Sequence, residues 1–296
     1  MITIFGSTGR IGGAAAAELR RRGLDVRAAM RDPARGDALA VLGCELAAAD
    51  LHEPGDVTRA LDGADGVLVI CPVQPAAGDL EADAARIIDA VGAALASARP
   101  RVAVAISDYG AHHASGTGIT MIFHRLEERL RAAPTAMTFL RSAEHMQNWR
   151  RHLTAARTRG ELPSLHHPVS REFPTVSAPD VGLIAAEILA ESLAASPAAL
   201  PSSPRVIHVE GPRRYSALDV AQVLGRLAER PVAARELPRE SWMAALAAGG
   251  LGESYARLVT ELQDAHNAGR IEVEPGGEVR RGSTELADAL AMALAR

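Results

Sequence analysis

Gly6, Gly9 and Gly12 stand three apart in MITIFGSTGRIGG, behind one apolar run and ahead of an alanine-rich one. Gly6 can make a tight turn, Gly9 lets backbone approach a pyrophosphate, and Gly12 lets a helix pack closely on a strand. The helix then offers unpaired N–H groups and its positive dipole end to an anion, with Thr8, Arg10 and Ile11 in the same turn. Such a trio can also be a plain structural turn; the strand–turn–helix setting favours a dinucleotide. Arg31 ends the next apolar run, VRAAMRD. An acidic residue there suits the ribose hydroxyls of NAD, whereas arginine suits the 2′-phosphate of NADP. Arg31 and Arg10 are therefore expected to converge on one phosphate, which favours NADPH over NADH. A solvated loop arginine is the plainer reading of Arg31, and Asp32 blurs the preference. Asp50 is placed either to accept from an adenine amino group, with Leu51 beside it, or to cap a helix. Pro72 and Gln74, in CPVQP, belong to a loop expected to run beneath the nicotinamide.

Proton chemistry is constrained by what is missing. The chain contains no lysine, so all 32 basic residues are arginine. Short-chain dehydrogenases pair a tyrosine with a lysine four residues on, and here that pair is impossible. Tyr109, Tyr215 and Tyr255 are the three tyrosines. Tyr109 is a candidate proton donor or stacking ring, or else a loop aromatic that shields the pocket. Histidines are present in adjacent pairs, His112 with His113 and His166 with His167, but no cysteine or carboxylate stands at ligand spacing, so no metal is expected.

Positioning these residues requires an α/β architecture. Near-continuous apolar strands, from MITIF through DVRAAM, CELAAAD, DGVLVICP and RVAVAIS to TAMTFLR, alternate with helical stretches. That pattern predicts a doubly wound parallel Rossmann sheet with helices on both faces. Beyond Arg150 the pattern loosens into proline-rich and polar segments. Residues 1–150 are expected to form the dinucleotide-binding domain, and 151–296 a smaller α+β substrate lobe against the carboxyl edge of the sheet. Asp180 is a candidate N-cap for a helix over 180–193 that packs back on the first domain, and SLAASPAALPSSP reads as a surface linker.

Composition narrows the partners. A net charge of −4 and 3% aromatics give no support for nucleic-acid binding. No apolar run reaches the ~18 residues of a membrane span, and no signal peptide is visible. Cys44 and Cys71 lie in apolar runs and read as buried thiols of a cytoplasmic protein, monomer or homodimer.

Several stretches together resemble the NmrA-like proteins, atypical relatives of the short-chain dehydrogenases that include quinone reductases, azoreductase-like enzymes and NADP-sensing regulators. They are GSTGRIG, RDP, AAADLHEPGDVTRALDGADGVLVI, FHRLEERLRAAPTAMTFLRSAEHMQN, FPTVSAPDVGLIAAEIL and HVEGPRRYSALDVAQVLGRLAERPV. The resemblance implies that His124 stands where the dehydrogenases keep their lysine, beside the nicotinamide ribose, as a hydrogen-bonding or proton-donating group. A polar histidine on the helix surface is the alternative. Glu127 and Glu128 can orient His124 or, more simply, form surface ion pairs with Arg125 and Arg129. The resemblance also implies that Ser107 faces the nicotinamide, although ISDYGAHH departs there from the family's serine–glycine turn. Arg141, Glu144 and Asn148 follow on the carboxyl edge, and a substrate pocket is expected between them and the loops around His166 and Trp242. Trp242 and Trp149 can equally be core residues. The reading that follows is an NADPH-dependent reductase of a quinone, enone or similar conjugated acceptor. A non-catalytic NADP(H) sensor, or a tailoring ketoreductase, isomerase or epimerase using Tyr109 or His124 as acid, are the alternatives.

Overall fold

The computed structural model describes residues 1–201 and 204–294. Ser202 and Ser203 of the expected linker lie outside the described residues, and Pro197–Ala199 before them make a short 3-10 turn.

Six strands appear where the apolar runs require them: β1 (Ile2–Phe5), β2 (Val26–Met30), β3 (Glu45–Ala48), β4 (Gly66–Val69), β5 (Val102–Asp108) and β6 (Ala136–Ser142). The connections contain α1 (Arg10–Arg21), α2 (Asp37–Val41), α3 (Pro54–Ala60), α4 (Leu80–Ala98) and α5 (Thr120–Arg131). After β6 come β7 (Glu144–His145), α6 (Leu153–Arg159), β8 (Glu161–Ser164), β9 (Thr175–Val176), α7 (Ala178–Ala194) and β10 (Arg205–Glu210). The chain continues through α8 (Ala217–Ala228), β11 (Ala233–Glu236), α9 (Trp242–Ala248), α10 (Glu253–Asn267), β12 (Glu278–Arg281) and α11 (Leu286–Leu294).

The central sheet has eight strands in the order β12-β10-β6-β5-β4-β1-β2-β3. Every neighbouring pair in it is parallel. Strand order reverses between β1 and β4, and ligands of such sheets sit outside the carboxyl ends at that switch point. The pleat divides the core. Ile2, Ile4 and Leu68 point to the face covered by α1 and α7, whereas Phe5, Val67 and Val69 point to the face covered by α3, α4 and α5. This is the doubly wound arrangement expected from the alternation.

Two expectations need correction. The second lobe does not stand apart from the sheet, because β10 and β12 extend it beyond β6. What remains outside is a smaller body around Trp149, Phe173, Tyr215 and Leu224, with the strand pair β8–β11 on its flank. Asp180 is not the N-cap of its helix: Ser177 holds that position. The Asp180 carboxylate instead accepts from the Thr284 amide at 2.8 Å and the Thr284 hydroxyl at 2.7 Å, tying α7 to the segment before α11.

Candidate active site

The glycine turn has two strict positions and one more open. Gly6 has φ +76°, a left-handed conformation that favours glycine. A Cβ on Gly12 would lie 2.3 Å from the Gly6 carbonyl oxygen and 2.8 Å from Ser7 Cα, so only hydrogen fits between α1 and the turn. At Gly9 a Cβ meets nothing closer than 3.3 Å, and the residue is exposed. Gly9 is also the N-cap of α1; no side chain caps that helix, and its first turn has no acidic residue. A bare helix N-terminus behind open backbone suits a pyrophosphate. The cradle therefore fits a dinucleotide.

Three recesses follow one another along the carboxyl edge. The outer one is lined by Gly6, Thr8, Arg31, Asp50, Leu51, Pro72 and Gln74, all expected cofactor residues, together with His52. Arg31 is exposed there. Asp50 does not cap α3, whose N-cap is Glu53. It accepts from the His52 amide and faces His52 Nδ1, each at 3.0 Å, while His52 Nε2 meets Asp83 at 2.9 Å. The backbone hydrogen bond from His52 is the largest of the effects that hold Asp50 below its ordinary value, despite some burial. The middle recess is lined by Gly9, Arg10, Ile11 and Gly12 with Ile70, His145, Gln147 and Asn148. Arg10 lines the middle recess and Arg31 the outer one, and the two recesses meet at Gly6.

The inner recess is a cavity of about 250 Å³ that shares Ile11, Ile70, His145 and Asn148 with the middle one. Ser107 and Asp108 of β5, Tyr109, Ser142, Glu144, Arg151, and Tyr255, Gln263 and His266 of α10 add to its polar lining. Burial works against charge throughout. It pushes His145 down to about 4 and His266 down to about 3, so both are neutral near pH 7. Burial alone would raise Glu144, but His166 at 3.1 Å, with help from His266 and Arg151, holds it below the ordinary carboxylate value. The Gln263 carbonyl oxygen is buried with no hydrogen-bond partner among the described residues.

Several expected site residues are committed elsewhere. Tyr109 lines the inner cavity, but its hydroxyl donates to the buried Glu210 at 3.0 Å, which also pairs with the half-buried Arg214 and the exposed Arg281. Burial and the Glu210 charge push that phenol well above its usual value. Arg141 lines no part of the cavity: it is 2% exposed and grips both oxygens of Glu127, at 2.9 and 2.8 Å, with Glu274 on its other side. Glu127 is therefore not a surface residue: it is 1% exposed and accepts the Ser107 hydroxyl at 2.6 Å rather than orienting His124. Burial raises Glu127, but Arg141, Ser107 and Arg131 outweigh it and hold the carboxyl below its usual value. His124 Nδ1 donates to the Ala111 carbonyl at 2.8 Å, and the residue does not line the cavity, though Phe123 beside it does. Trp242 belongs to the core of the C-terminal lobe, its indole N–H on the Leu237 carbonyl at 2.8 Å. The wall expected from the His166 and Trp242 loops is supplied by α10. Among the described residues no group of His, Cys, Asp or Glu could hold a metal ion, and no helix is long and apolar enough to cross a membrane.

Sequence comparison adds a family to this geometry. The model of the NmrA-like family matches residues 1–281. The chain belongs to the NmrA-like family. An NAD(P)H azoreductase of Xenophilus azovorans is 28% identical over 263 residues, covering 88% of this NmrA-like chain and 86% of the relative. Among solved structures, a triphenylmethane reductase of Citrobacter sp. superposes with a TM-score of 0.80 at 18% identity, covering 100% of this chain and 99% of that one. An NADPH-dependent quinone oxidoreductase of Escherichia coli, solved with NADPH, gives 0.78 at 20% identity, covering 99% and 100%.

Proposed function

We propose that this NmrA-like protein is an NADPH-dependent reductase that passes hydride to a quinone, an enone or a similar conjugated acceptor. One observation carries the reading: the glycine cradle opens, past Ile11 and Ile70, into a separate cavity of about 250 Å³. A protein that only senses the dinucleotide has no need of that second space. The relatives named an azoreductase and a quinone oxidoreductase support the same reaction class, as their acceptors are conjugated. When bound, the nicotinamide supplies hydride. The chain's share is to hold and to orient. Gly9 and the first turn of α1 receive the pyrophosphate, Arg31 reads the 2′-phosphate, and Ile11 and Ile70 form the apolar passage between dinucleotide and acceptor. A conjugated acceptor spreads incoming charge over its own π system, so positioning and water exclusion supply much of the rate.

Arg31→Ala is the direct test of cofactor choice. A charge-assisted phosphate contact is worth roughly 1.5–3 kcal/mol, so NADPH affinity should fall about 10- to 100-fold. NADH affinity should stay nearly constant in the same titration. Equal weakening of both would remove Arg31 from the phosphate. NADPH oxidation, followed by absorbance with a panel of quinones and enones, tests the activity itself. Tight NADPH binding without oxidation by any acceptor would favour the sensor.

A further inference from the structure

We propose that Asp108 is the acid of this site, giving its proton to the acceptor atom that gathers negative charge as hydride arrives. The proposal rests on the reductase reading above. Asp108 is the last residue of β5, at the carboxyl edge, and it lines the inner cavity beside Ser107. One carboxylate oxygen accepts the Thr120 hydroxyl at 2.7 Å, which fixes the side chain from α5. The charged and titratable groups around it are Glu144 of β7 and Tyr255 of α10, with His145, Arg151 and His266 on the same cavity wall.

The other groups on that wall are poorer acids near neutral pH, the Tyr109 phenol among them, which burial raises and which is donated to Glu210. The Ser107 hydroxyl is donated to Glu127. His145 and His266 are already neutral, and Glu144 is held ionised by His166. Burial raises Tyr255, and it pushes the Cys71 thiol up to about 12. Asp108 differs. Burial pushes its carboxyl up to about 7, aided by Glu144, and the Thr120 hydroxyl and the Tyr109 amide only partly offset that rise. A carboxyl acid matched to neutral pH is well suited to proton transfer.

The step balances simply. The acceptor gains hydride at the β-carbon of an enone, forming a C–H bond, or at one carbonyl oxygen of a quinone, forming an O–H bond, and the displaced π electron pair moves through the conjugated system to the far oxygen. That atom takes the Asp108 proton. Oxidised dinucleotide, the reduced acceptor and the Asp108 carboxylate remain, and the carboxylate regains a proton from solvent before the next turnover.

The test is the single-turnover rate of NADPH oxidation by 2-methyl-1,4-naphthoquinone between pH 5 and 9, with NADPH affinity titrated alongside. The wild-type rate should fall as pH rises through about 7. In Asp108→Asn that limb should vanish and the plateau should drop about 10²- to 10⁴-fold, a usual range for a lost general acid, with NADPH affinity unchanged. Thr120→Val, which removes a hydrogen bond to the carboxylate, should move the limb to higher pH, and it serves if Asp108→Asn does not fold. An unaltered limb in either variant overturns the assignment while leaving the reductase standing. A wild type that binds NADPH but oxidises it with no quinone or enone overturns both.

Discussion

Glu127→Ala is expected to lower folding stability by about 3–5 kcal/mol, the usual cost of removing one partner from a buried ion pair. Arg141 would lose both oxygens of its main partner while remaining 2% exposed. Ser107 would lose the acceptor of its hydroxyl, so the ends of β5 and β6 would both be affected. Glu274 remains as a second partner of Arg141, which favours the lower part of the range. Glu127→Gln keeps polar atoms opposite Ser107 and Arg141 and should cost less. Urea unfolding of the three proteins checks the order, and equal midpoints for wild type and Glu127→Ala would refute a stabilising pair. The pH dependence has a definite sign. Because Glu127 is held below its ordinary value of 4.5 when folded, its contribution is present above about that pH. It is lost as pH falls through the lower, folded value, so the gap between wild type and variant should narrow in acid.

Gly12→Ala should weaken NADPH binding at least 100-fold. The added Cβ would lie 2.3 Å from the Gly6 oxygen and 2.8 Å from Ser7 Cα, both parts of the turn itself. Relief requires α1 to move outward, and α7 blocks that route. A Cβ on Gly182 would come within 2.2 Å of the Ile11 carbonyl oxygen, so the two helices already touch backbone to backbone. Overpacking of this kind costs about 1–3 kcal/mol in stability, and here the displaced atoms are those proposed to receive the pyrophosphate. Gly13→Ala is the control, because its Cβ meets only the Ser7 oxygen at an ordinary 3.5 Å. Alanine there should leave binding intact and stabilise α1 by up to about 1 kcal/mol. If calorimetric titration finds both variants equally weakened, the close approach at Gly12 is not what shapes the turn.

The parts of the molecule legible in its sequence are those encoded by local pattern. Apolar runs alternating with helices specify the first six strands, and strand ends specify Gly6, Arg31, Asp50 and Pro72 along the outer and middle recesses. Tertiary partners are not encoded this way. Tyr109 and Arg141 have the chemistry of site residues, yet Glu210 is 101 positions from the first and Glu274 is 133 from the second. Trp242 likewise serves the core. Tyr255, Gln263 and His266 escape a reading along the chain because α10 reaches the cavity only through the tertiary fold. Two signals were present all the same. Phe123, Glu127 and Leu130 share one face of α5, and a glutamate on an apolar face implies a buried partner. Asp108 directly follows Ser107 at a strand end that already marked the site.

During synthesis, residues 1–21 emerge long before residues 178–194. At about 5–20 residues per second the interval is on the order of ten seconds, and for that time the buried stripe of α1, Ile11 with Ala15 and Leu19, has no α7 to lie against. The glycine turn is written at the start of the chain but is braced only by its second half. A nascent or truncated protein that stops short of α7 therefore displays an apolar, aggregation-prone flank where the finished one has a firm anion cradle. Dinucleotide in the surroundings binds the finished form in preference, and by mass action draws the population towards it.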